Sequence, residues 1–250
     1  DVINSVSLSS AGTLATAGVA GSPYAITAAN AVGSGLGNYT ISYAPGALSV
    51  TPAPLSLRAL NQSKVYGTTF TFNGTEFTTT GLKNGESVGL VDLASVGAAA
   101  TANVAGSPYA ITIGNARGGT FNPTNYTLSY VEGALSVTQA GLTITANNQS
   151  KEYGNVFNFA GTEFTSVGLL NGDTISGVSL SSAGTLATAG VAGNPYANTA
   201  TNALGNGLGN YTISYVPGAL NVTPAPLSLR ALNQSKIYGS TFTFAGTEFT

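Results

Sequence analysis

The feature that most constrains this fold is a segment that occurs three times along the chain. Residues 142–154 read Leu-Thr-Ile-Thr-Ala-Asn-Asn-Gln-Ser-Lys-Glu-Tyr-Gly, and close copies occupy residues 55–67 and 227–239. Each copy joins an alternating apolar and polar run, typical of a half-buried strand, to a polar Asn-Gln-Ser-Lys exit and a Tyr-Gly turn. The chain is therefore a tandem repeat, and we expect every unit to have the same fold.

The spacing of three landmarks locates the one segment whose length varies. The Tyr-Gly site follows the Asn-Tyr-Thr site at the same distance in every copy (Tyr39 to Tyr66, Tyr126 to Tyr153 and Tyr211 to Tyr238). The distance from the Pro-Tyr site to the Asn-Tyr-Thr site is instead two residues longer in the middle copy (Tyr109 to Tyr126) than in the other two. The longer segment is Gly-rich and includes Phe121-Asn-Pro-Thr124. Because loops tolerate length changes and packed strands do not, we predict an exposed loop there.

A longer period defines the repeat boundaries. Residues 1–78 align with residues 173–250 without a gap and differ at 13 positions, so the units alternate in an ABAB order. We predict complete repeats over 53–139 and 140–224, the C-terminal part of a repeat over 1–52, and the N-terminal part of one over 225–250. With neither an initiating Met nor a signal peptide, the sequence is expected to be a piece of a longer repetitive chain.

Charge is scarce, which excludes several classes of partner. Charged residues make up 6% of the chain, against roughly 25% in typical soluble domains. No charged residue lies between Asp1 and Arg58 or between Asp173 and Arg230. A nucleic-acid footprint or a polybasic membrane patch needs clustered Lys and Arg, and no apolar run is long enough to span a bilayer. We expect neither nucleic-acid binding nor membrane insertion, and a neutral surface on which copies associate easily.

The residue types needed for catalysis and metal binding are also missing. The chain has no Cys, His, Met or Trp, which removes the usual transition-metal ligands and the commonest general base. Calcium loops need clustered oxygen ligands, whereas Glu86, Asp92 and Asp173 stand alone. We therefore expect no cofactor, no metal and no enzymatic activity. A composition rich in Thr and Asn suits an extracellular protein.

The pattern within one unit predicts an all-β fold. Leu142, Ile144 and Ala146 alternate with threonines, Phe157 and Phe159 should face the same core, and Asn171-Gly172 is a strong turn signal. Ala183 to Gly193 reads as an edge strand or a loop. About seven short strands without a helical period favour a small β-sandwich that is Ig-like, and a mixed fold with one short helix is the alternative.

Two further expectations concern the end of the unit. Residues 211–215 place two tyrosines and an isoleucine on one face, and Pro217-Gly218 should turn the chain so that residues 220–223 return as the hairpin partner. The Pro-Ala-Pro junctions at 52–54 and 224–226 then lead into the next unit. Because proline stiffens such a junction, we predict that the array forms an elongated rod or fibre.

The ordered motifs of one unit resemble a known family. Its pattern runs Leu-x-Ile-x-Ala, Lys-x-Tyr-Gly, Asn-Gly-Asp and Asn-Tyr-Thr-Ile-x-Tyr-x-x-Gly-x-Leu-x-Val-Thr. In this order and spacing it is similar to the MBG repeat of the Tyr-Gly type. Those repeats form arrays in very large bacterial surface proteins, including haemagglutinin-like adhesins exported by two-partner secretion. The resemblance covers the chain unit by unit and implies a secreted or surface-attached adhesin or biofilm matrix fibre, with no catalytic residues to carry over.

Three Lys and three Glu residues recur at one shared spacing. Lys and a nearby carboxylate are ingredients of intramolecular isopeptide bonds, and the alternative is a cross-strand ion pair on the surface, worth about 0–1 kcal/mol. We expect the ion pair, because a buried amine needs more than a shared spacing. The predicted pairs are Lys64 with Glu76, Lys151 with Glu163, and Lys236 with Glu248.

Eight asparagines begin an Asn-x-Ser/Thr sequon and are candidates for glycosylation. Asn is also the residue that turns prefer, and Thr is common in strands, so we expect local structural roles and keep glycosylation as the alternative. The eight residues are Asn38, Asn61, Asn73, Asn125, Asn148, Asn210, Asn221 and Asn233.

The Pro-Tyr tyrosines Tyr24, Tyr109 and Tyr196 have planar, amphipathic rings that can stack on sugars. At a fixed place in every repeat, we expect them in the core instead.

These observations predict a structural region that acts as an extended stalk. Its partners are then the neighbouring repeats and other copies of itself, at the bacterial cell surface. One alternative is a self-assembling extracellular filament, in which neutral strand edges accept a strand from another copy. A second is a binding module whose loop around Arg117–Phe121 contacts a surface or matrix polysaccharide.

Overall fold

The computed structural model describes residues 1–250 and is all-β, as predicted: it contains seventeen strands, nine short 3-10 helices and no α-helix. The chain divides into two compact units, Asp1–Ala140 and Gly141–Thr250. Residues 1–52 contribute one antiparallel sheet in the order β1-β2-β3. Its strands are β1 (Val2–Ser9), β2 (Tyr24–Ser34) and β3 (Gly46–Leu48), with 3-10 helices at Ala11–Thr13, Val19–Gly21 and Leu36–Asn38.

The repeat that follows contains seven strands in two sheets. They are β4 (Ala53–Ala59), β5 (Gln62–Val65), β6 (Phe77–Thr80), β7 (Val88–Ala94), β8 (Tyr109–Gly119), β9 (Tyr126–Val131) and β10 (Gly133–Thr138). One sheet has the order β6-β4-β9 and the other the order β5-β10-β8-β7. Its 3-10 helices are Val96–Ala98, Val104–Gly106 and Pro123–Asn125.

The next repeat has the same seven strands. They are β11 (Ala140–Ala146), β12 (Gln149–Glu152), β13 (Phe164–Val167), β14 (Thr174–Ser181), β15 (Tyr196–Asn206), β16 (Tyr211–Val216) and β17 (Gly218–Thr223). The sheets have the orders β13-β11-β16 and β12-β17-β15-β14. Its 3-10 helices are Ala183–Thr185, Val191–Gly193 and Leu208–Asn210, so the segment 183–193 is a loop. In residues 225–250 a single antiparallel bridge joins Ala231 and Phe249.

The core of each repeat lies between its two sheets, as a sandwich requires. In β4, Leu55, Leu57 and Ala59 are buried while the residues between them are not. Leu57, Ile111 and Leu135 are completely buried and come from both sheets. The same alternation buries Leu142, Ile144 and Ala146 in β11, which confirms the predicted face. Burying each leucine or isoleucine side chain stabilises the fold by about 1.5–3 kcal/mol.

The phenylalanines after the Tyr-Gly turn lie beside this core but outside a strand. Phe157 and Phe159 are half-buried, and their ring centroids are 5.1 Å apart in an edge-to-face contact. Phe70 and Phe72 are equivalent and pack against the cluster formed by Ala59, Ile111 and Leu135. The predicted direction of these rings is therefore correct, although the segment itself is not a strand.

Two strand pairs in the repeat 53–139 are parallel, which an immunoglobulin-like sandwich of antiparallel sheets does not predict. β4 runs parallel to β9, and β5 runs parallel to β10. In the next repeat β12 runs parallel to β17. The remaining pairs with a recorded register are antiparallel.

The predicted hairpin between residues 211–215 and 220–223 is wrong. β16 pairs in the three-stranded sheet, whereas β17 pairs in the four-stranded sheet. Only Pro217 separates the two strands, which is shorter than the loop of a hairpin. The chain therefore crosses from one sheet to the other.

The predicted turn at Asn171-Gly172 is confirmed. Asn171 has φ = 53° and Gly172 has φ = 78°, the two positive values that a type I′ turn requires. The equivalent Asn84 and Gly85 have φ = 52° and 70°. Asn tolerates this region better than other side chains, and Gly has no Cβ to oppose it. These turns place an exposed Asn at the end of each repeat's loop.

Candidate functional site

The recurring lysines bind backbone carbonyls and are almost fully buried in the complete repeats. Lys64 Nζ donates hydrogen bonds to the carbonyl oxygens of Thr68 (2.9 Å) and Ala99 (2.8 Å). Lys151 Nζ does the same with Asn155 (2.8 Å) and Leu186 (2.6 Å). Lys64 is 7% exposed and Lys151 8%. Burial lowers the pKa of the Lys64 ammonium, because the charged form loses its hydration. Each lysine thus ties the Tyr-Gly turn to the loop that contains the 3-10 helices.

The recurring glutamates bind backbone amides. The Glu76 carboxylate accepts hydrogen bonds from the amides of Asn73 (2.9 Å), Gly74 (3.0 Å) and Thr75 (3.1 Å). Glu163 accepts the three equivalent bonds at 2.8–3.0 Å. Burial raises the pKa of each carboxyl group, but the amide donors outweigh it and hold the pKa below its ordinary value. Each carboxylate therefore occupies an anion-binding turn of its own chain.

The predicted Lys–Glu pairs are consequently wrong as contacts. Each ammonium is directed at loop carbonyls and each carboxylate at turn amides, so neither partner of Lys64–Glu76, Lys151–Glu163 or Lys236–Glu248 reaches the other. The one ion pair in the structure joins Arg117 to Asp92, with Asn115 Nδ2 donating to the same carboxylate at 2.8 Å. The shared spacing of these lysines and glutamates reflects the period of the repeat. Their hydrogen-bond partners are backbone carbonyl and amide groups.

The sequon asparagines divide by burial. The side chains of Asn38, Asn61, Asn73, Asn148, Asn221 and Asn233 are exposed, Asn125 is half-buried, and Asn210 is buried. Two of the exposed residues have structural partners. Asn61 Oδ1 accepts from the amide of Ala134, and Asn148 Oδ1 accepts from the amide of Ala219, both at 2.9 Å. Glycosylation of these residues stays the alternative to such structural roles.

The Pro-Tyr tyrosines pack inside their own repeats. Tyr109 Oη donates to the carbonyl oxygen of Asn103 at 2.8 Å. A Cβ on Gly97 would stand 2.7 Å from the ring, and one on Gly106 would stand 2.3 Å from Oη. Tyr24 and Tyr196 make the same bond, to Gly18 and Gly190, at 2.7 and 2.8 Å. Two glycines therefore leave room for each ring, and because all three tyrosines are half-buried, the rings lie at the margin of the core rather than inside it.

The loop that was the candidate for polysaccharide contact is also engaged internally. Phe121 is 8% exposed and packs on Tyr126 with ring centroids 6.3 Å apart. Arg117 is held by Asp92. The extra residues of this repeat include Asn122, which caps a 3-10 helix. Asn122 Oδ1 accepts a hydrogen bond from the amide of Thr124 at 3.1 Å. The length change does lie outside the strands, as predicted, but its aromatic ring belongs to the core.

A joint connects residues 1–52 to the repeat 53–139 within the first compact unit. Asn84 Nδ2 donates to the carbonyl oxygen of Ala15 at 3.1 Å, and the amide of Val19 donates to Asn125 Oδ1 at 2.9 Å. A cleft of about 300 Å³ lies beside these bonds, lined by residues of both parts. Two hydrogen bonds between polar side chains and backbone groups therefore connect the two parts.

The Asn84 turn is held in place by a tyrosine. Tyr126 Oη donates to Glu86 Oε2 at 2.5 Å and accepts from the amide of Lys83 at 2.9 Å. Burial and the Glu86 hydrogen bond raise the pKa of Tyr126, so the hydroxyl keeps its proton as a donor. In the next repeat Tyr211 Oη donates to Asp173 Oδ2 at 2.7 Å and accepts from the amide of Leu170 at 2.8 Å. In both complete repeats, the tyrosine of the Asn-Tyr-Thr site thus holds the turn across from it.

No group of three or more carboxylate or imidazole side chains converges on a point where it can hold a metal ion. The chain also forms no helix of the length and apolarity that crossing a membrane requires.

Comparison with known proteins identifies the repeat. No match was found among curated protein sequences or among solved structures. The family profile described as MBG domain (YGX type) matches twice, over residues 55–136 and 142–221. The two matches include the Tyr-Gly turns, the Asn-Gly turns and the paired sheets of both complete repeats. The chain therefore belongs to the MBG domain family of the YGX type.

Proposed function

We propose that the chain is part of the structural repeat region of a secreted or surface-attached bacterial adhesin or matrix fibre, in which the repeats act as an extended stalk. The observation that carries this proposal is the joint between residues 1–52 and the repeat 53–139. Asn84 and Asn125 are hydrogen-bonded to the preceding part of the chain there. A stalk needs such defined connections, because free linkers would let successive repeats fold back on one another.

The way the repeat uses its polar groups also supports a mechanical role. The lysines, glutamates and tyrosines that recur are bonded to the backbone of their own repeat. Few charged side chains remain for binding or acid–base chemistry. We accordingly propose no enzymatic activity, with neighbouring repeats as the main partners and the bacterial cell surface or extracellular matrix as the location.

Two features favour the stalk over its alternatives. At one edge of each four-stranded sheet, the pairing of β7 with β8 has a register shift between Leu90 and Asp92, and the pairing of β14 with β15 has two such shifts. Irregular edges disfavour pairing with a strand from another copy, which a filament needs. The buried Phe121 and the paired Arg117 leave the longer loop without a free aromatic platform for a polysaccharide.

Electron microscopy of the purified chain at low and high concentration, beside light scattering, tests the proposal. A stalk predicts single particles of one size at both concentrations. Filaments that lengthen with concentration would instead make self-assembly the function and overturn the proposal.

A further inference from the structure

The two ends of each repeat are joined by one long parallel pairing. In β4 and β9, Ala53 lies opposite Tyr126 and Arg58 opposite Val131. In β5 and β10, residues 62–65 lie opposite residues 135–138. The sequence offset between partners is identical in the two strand pairs. Residues 53–65 therefore run beside residues 126–138 in one register, although the chain passes from one sheet to the other on the way.

Side-chain bonds close the gap where the pairing changes sheets. Between the two strand pairs, Asn61 Oδ1 accepts from the amide of Ala134 at 2.9 Å. At the far end the amide of Tyr66 donates to the carbonyl oxygen of Thr138 at 2.9 Å, and Thr138 Oγ1 donates to the carbonyl oxygen of Lys64 at 3.2 Å. The Lys64 ammonium holds the adjoining loop. The pairing thus continues through the change of sheet at Asn61. Its far end lies beside Lys64, whose ammonium group is bound to the adjoining loop.

The next repeat builds the same device with the same distances. Residues 149–152 lie parallel to residues 220–223. Asn148 Oδ1 accepts from the amide of Ala219 at 2.9 Å, the amide of Tyr153 donates to the carbonyl oxygen of Thr223 at 2.9 Å, and Thr223 Oγ1 donates to the carbonyl oxygen of Lys151 at 3.2 Å. Its recurrence in two repeats of different sequence marks it as a property of the fold.

The direction of the pairing decides how a pulled repeat breaks. Tension along a stalk enters a repeat at the start of β4 and leaves it at the end of β10. Because the strands are parallel, these two points lie at opposite ends of the pairing, roughly 40 Å apart at about 3.3 Å per residue. Pulling them apart slides one strand along the other, so all the hydrogen bonds share the load. Antiparallel neighbours pulled from one end would instead open one bond at a time.

We propose that this pairing is a tension clamp, which makes each repeat a load-bearing element that resists force applied between its ends. The inference rests on the proposed stalk function and adds what the stalk does: it transmits force without lengthening. The clamp gives Asn61 and Asn148 a role: their side chains connect the two strand pairs where the chain passes from one sheet to the other.

Single-molecule pulling in two directions tests the clamp. The chain has no Cys, so a pair of introduced cysteines defines where force is applied. Thr51→Cys with Ser136→Cys loads the pairing lengthwise, and Thr51→Cys with Thr127→Cys peels it from one end; all three native residues are exposed. Unfolding in the lengthwise geometry releases about 270 Å of chain, at about 3.6 Å per residue less the distance already spanned. We expect a several-fold higher unfolding force lengthwise than on peeling. Equal forces would overturn the clamp.

A pair of substitutions separates mechanical from thermodynamic effects. Asn61→Ala removes the bond between the two strand pairs, and Tyr109→Phe removes a bond of similar length outside them. Asn61→Ala should lower the lengthwise unfolding force, while Tyr109→Phe should leave it unchanged even where urea shows a comparable loss of stability. A fall in force that is the same for both variants would contradict the proposal. Failure here leaves the stalk standing, since particle size and its concentration dependence do not depend on the clamp.

Discussion

A buried asparagine in the repeat 140–224 provides a sharp test of how the core is stabilised. Asn198 is completely buried, its Nδ2 donates to the carbonyl oxygen of Asn147 at 3.0 Å, and its Oδ1 has no hydrogen-bond partner. The equivalent residue of the preceding repeat is Ile111, which is also completely buried. The sequence therefore already contains the substitution that should relieve the defect.

We expect Asn198→Ile to stabilise the repeat. Removing an unsatisfied buried oxygen gains about 1–3 kcal/mol, and burying an isoleucine gains about 1.5–3 kcal/mol. Against this, the Asn147 carbonyl loses its donor, which costs about 1–3 kcal/mol. The central values of these terms leave a net gain of about 2 kcal/mol. For a domain of this size, each kcal/mol raises Tm by about 4–8 °C.

Calorimetry of the whole chain measures this directly, because only one of the two complete repeats is altered. The transition of the repeat 140–224 should move up, while that of the repeat 53–139 stays in place. The reverse change, Ile111→Asn, is the matched control and should lower the other transition. An unchanged or lowered transition in Asn198→Ile would refute the reasoning, since it would mean that the bond to Asn147 outweighs both gains.

Three further substitutions test the polar groups and the tyrosine site. Lys64→Met should destabilise its repeat by about 2–4 kcal/mol in urea unfolding, because two hydrogen bonds from a buried charge are lost, and only part of that loss is offset by relief of burial. The exposed equivalent Lys236→Met should change stability by less than about 0.5 kcal/mol, and equal losses would contradict the assignment. Glu76→Gln should cost less than about 1 kcal/mol near neutral pH, because solvent screens its partly exposed carboxylate. Its pKa is depressed in the fold, so its contribution is present above the ordinary pKa of about 4.3 and is lost as pH falls through the depressed value. The difference between Glu76→Gln and the unaltered chain should therefore shrink in acid, and a difference that grows would be inconsistent with it. Gly97→Ala should lower the stability of its repeat by about 1–3 kcal/mol in thermal unfolding, because the added Cβ would lie 2.7 Å from the ring of Tyr109. Gly114→Ala, which has open space around the added Cβ, is the control and should be close to neutral.

Local sequence patterns predicted the elements that depend on neighbours along the chain. Alternation identified the buried face of β11, because a strand's side chains point to opposite sides in turn. The Asn-Gly dipeptide identified the turn at residues 171–172, because few other residues accept two positive φ values. The change in spacing between the Pro-Tyr and Asn-Tyr-Thr sites identified the segment after β8 as lying outside the strands.

The sheet connectivity was not predictable in this way. The switch of β16 and β17 between sheets depends on pairings with β11 and β12 at the start of the repeat, which no local pattern records. Lys64 and Glu76 recur at a fixed spacing, but their partners are main-chain carbonyl and amide groups. Because every residue has such groups, the sequence does not indicate which ones the two side chains bind. In the sequence, Asn61 stands out only as the first residue of a sequon, and its bond to the amide of Ala134 depends on the parallel register of strands that lie far apart in the chain.

A stalk of these repeats should have a reach that is set by their number. The most direct test is electron microscopy of arrays of two, four and eight complete repeats in the native ABAB order, measuring the contour length of single particles. We predict that length rises by a constant increment per repeat, with little spread among particles of one array. Lengths that level off, or that scatter as they do for a flexible string, would contradict the stalk.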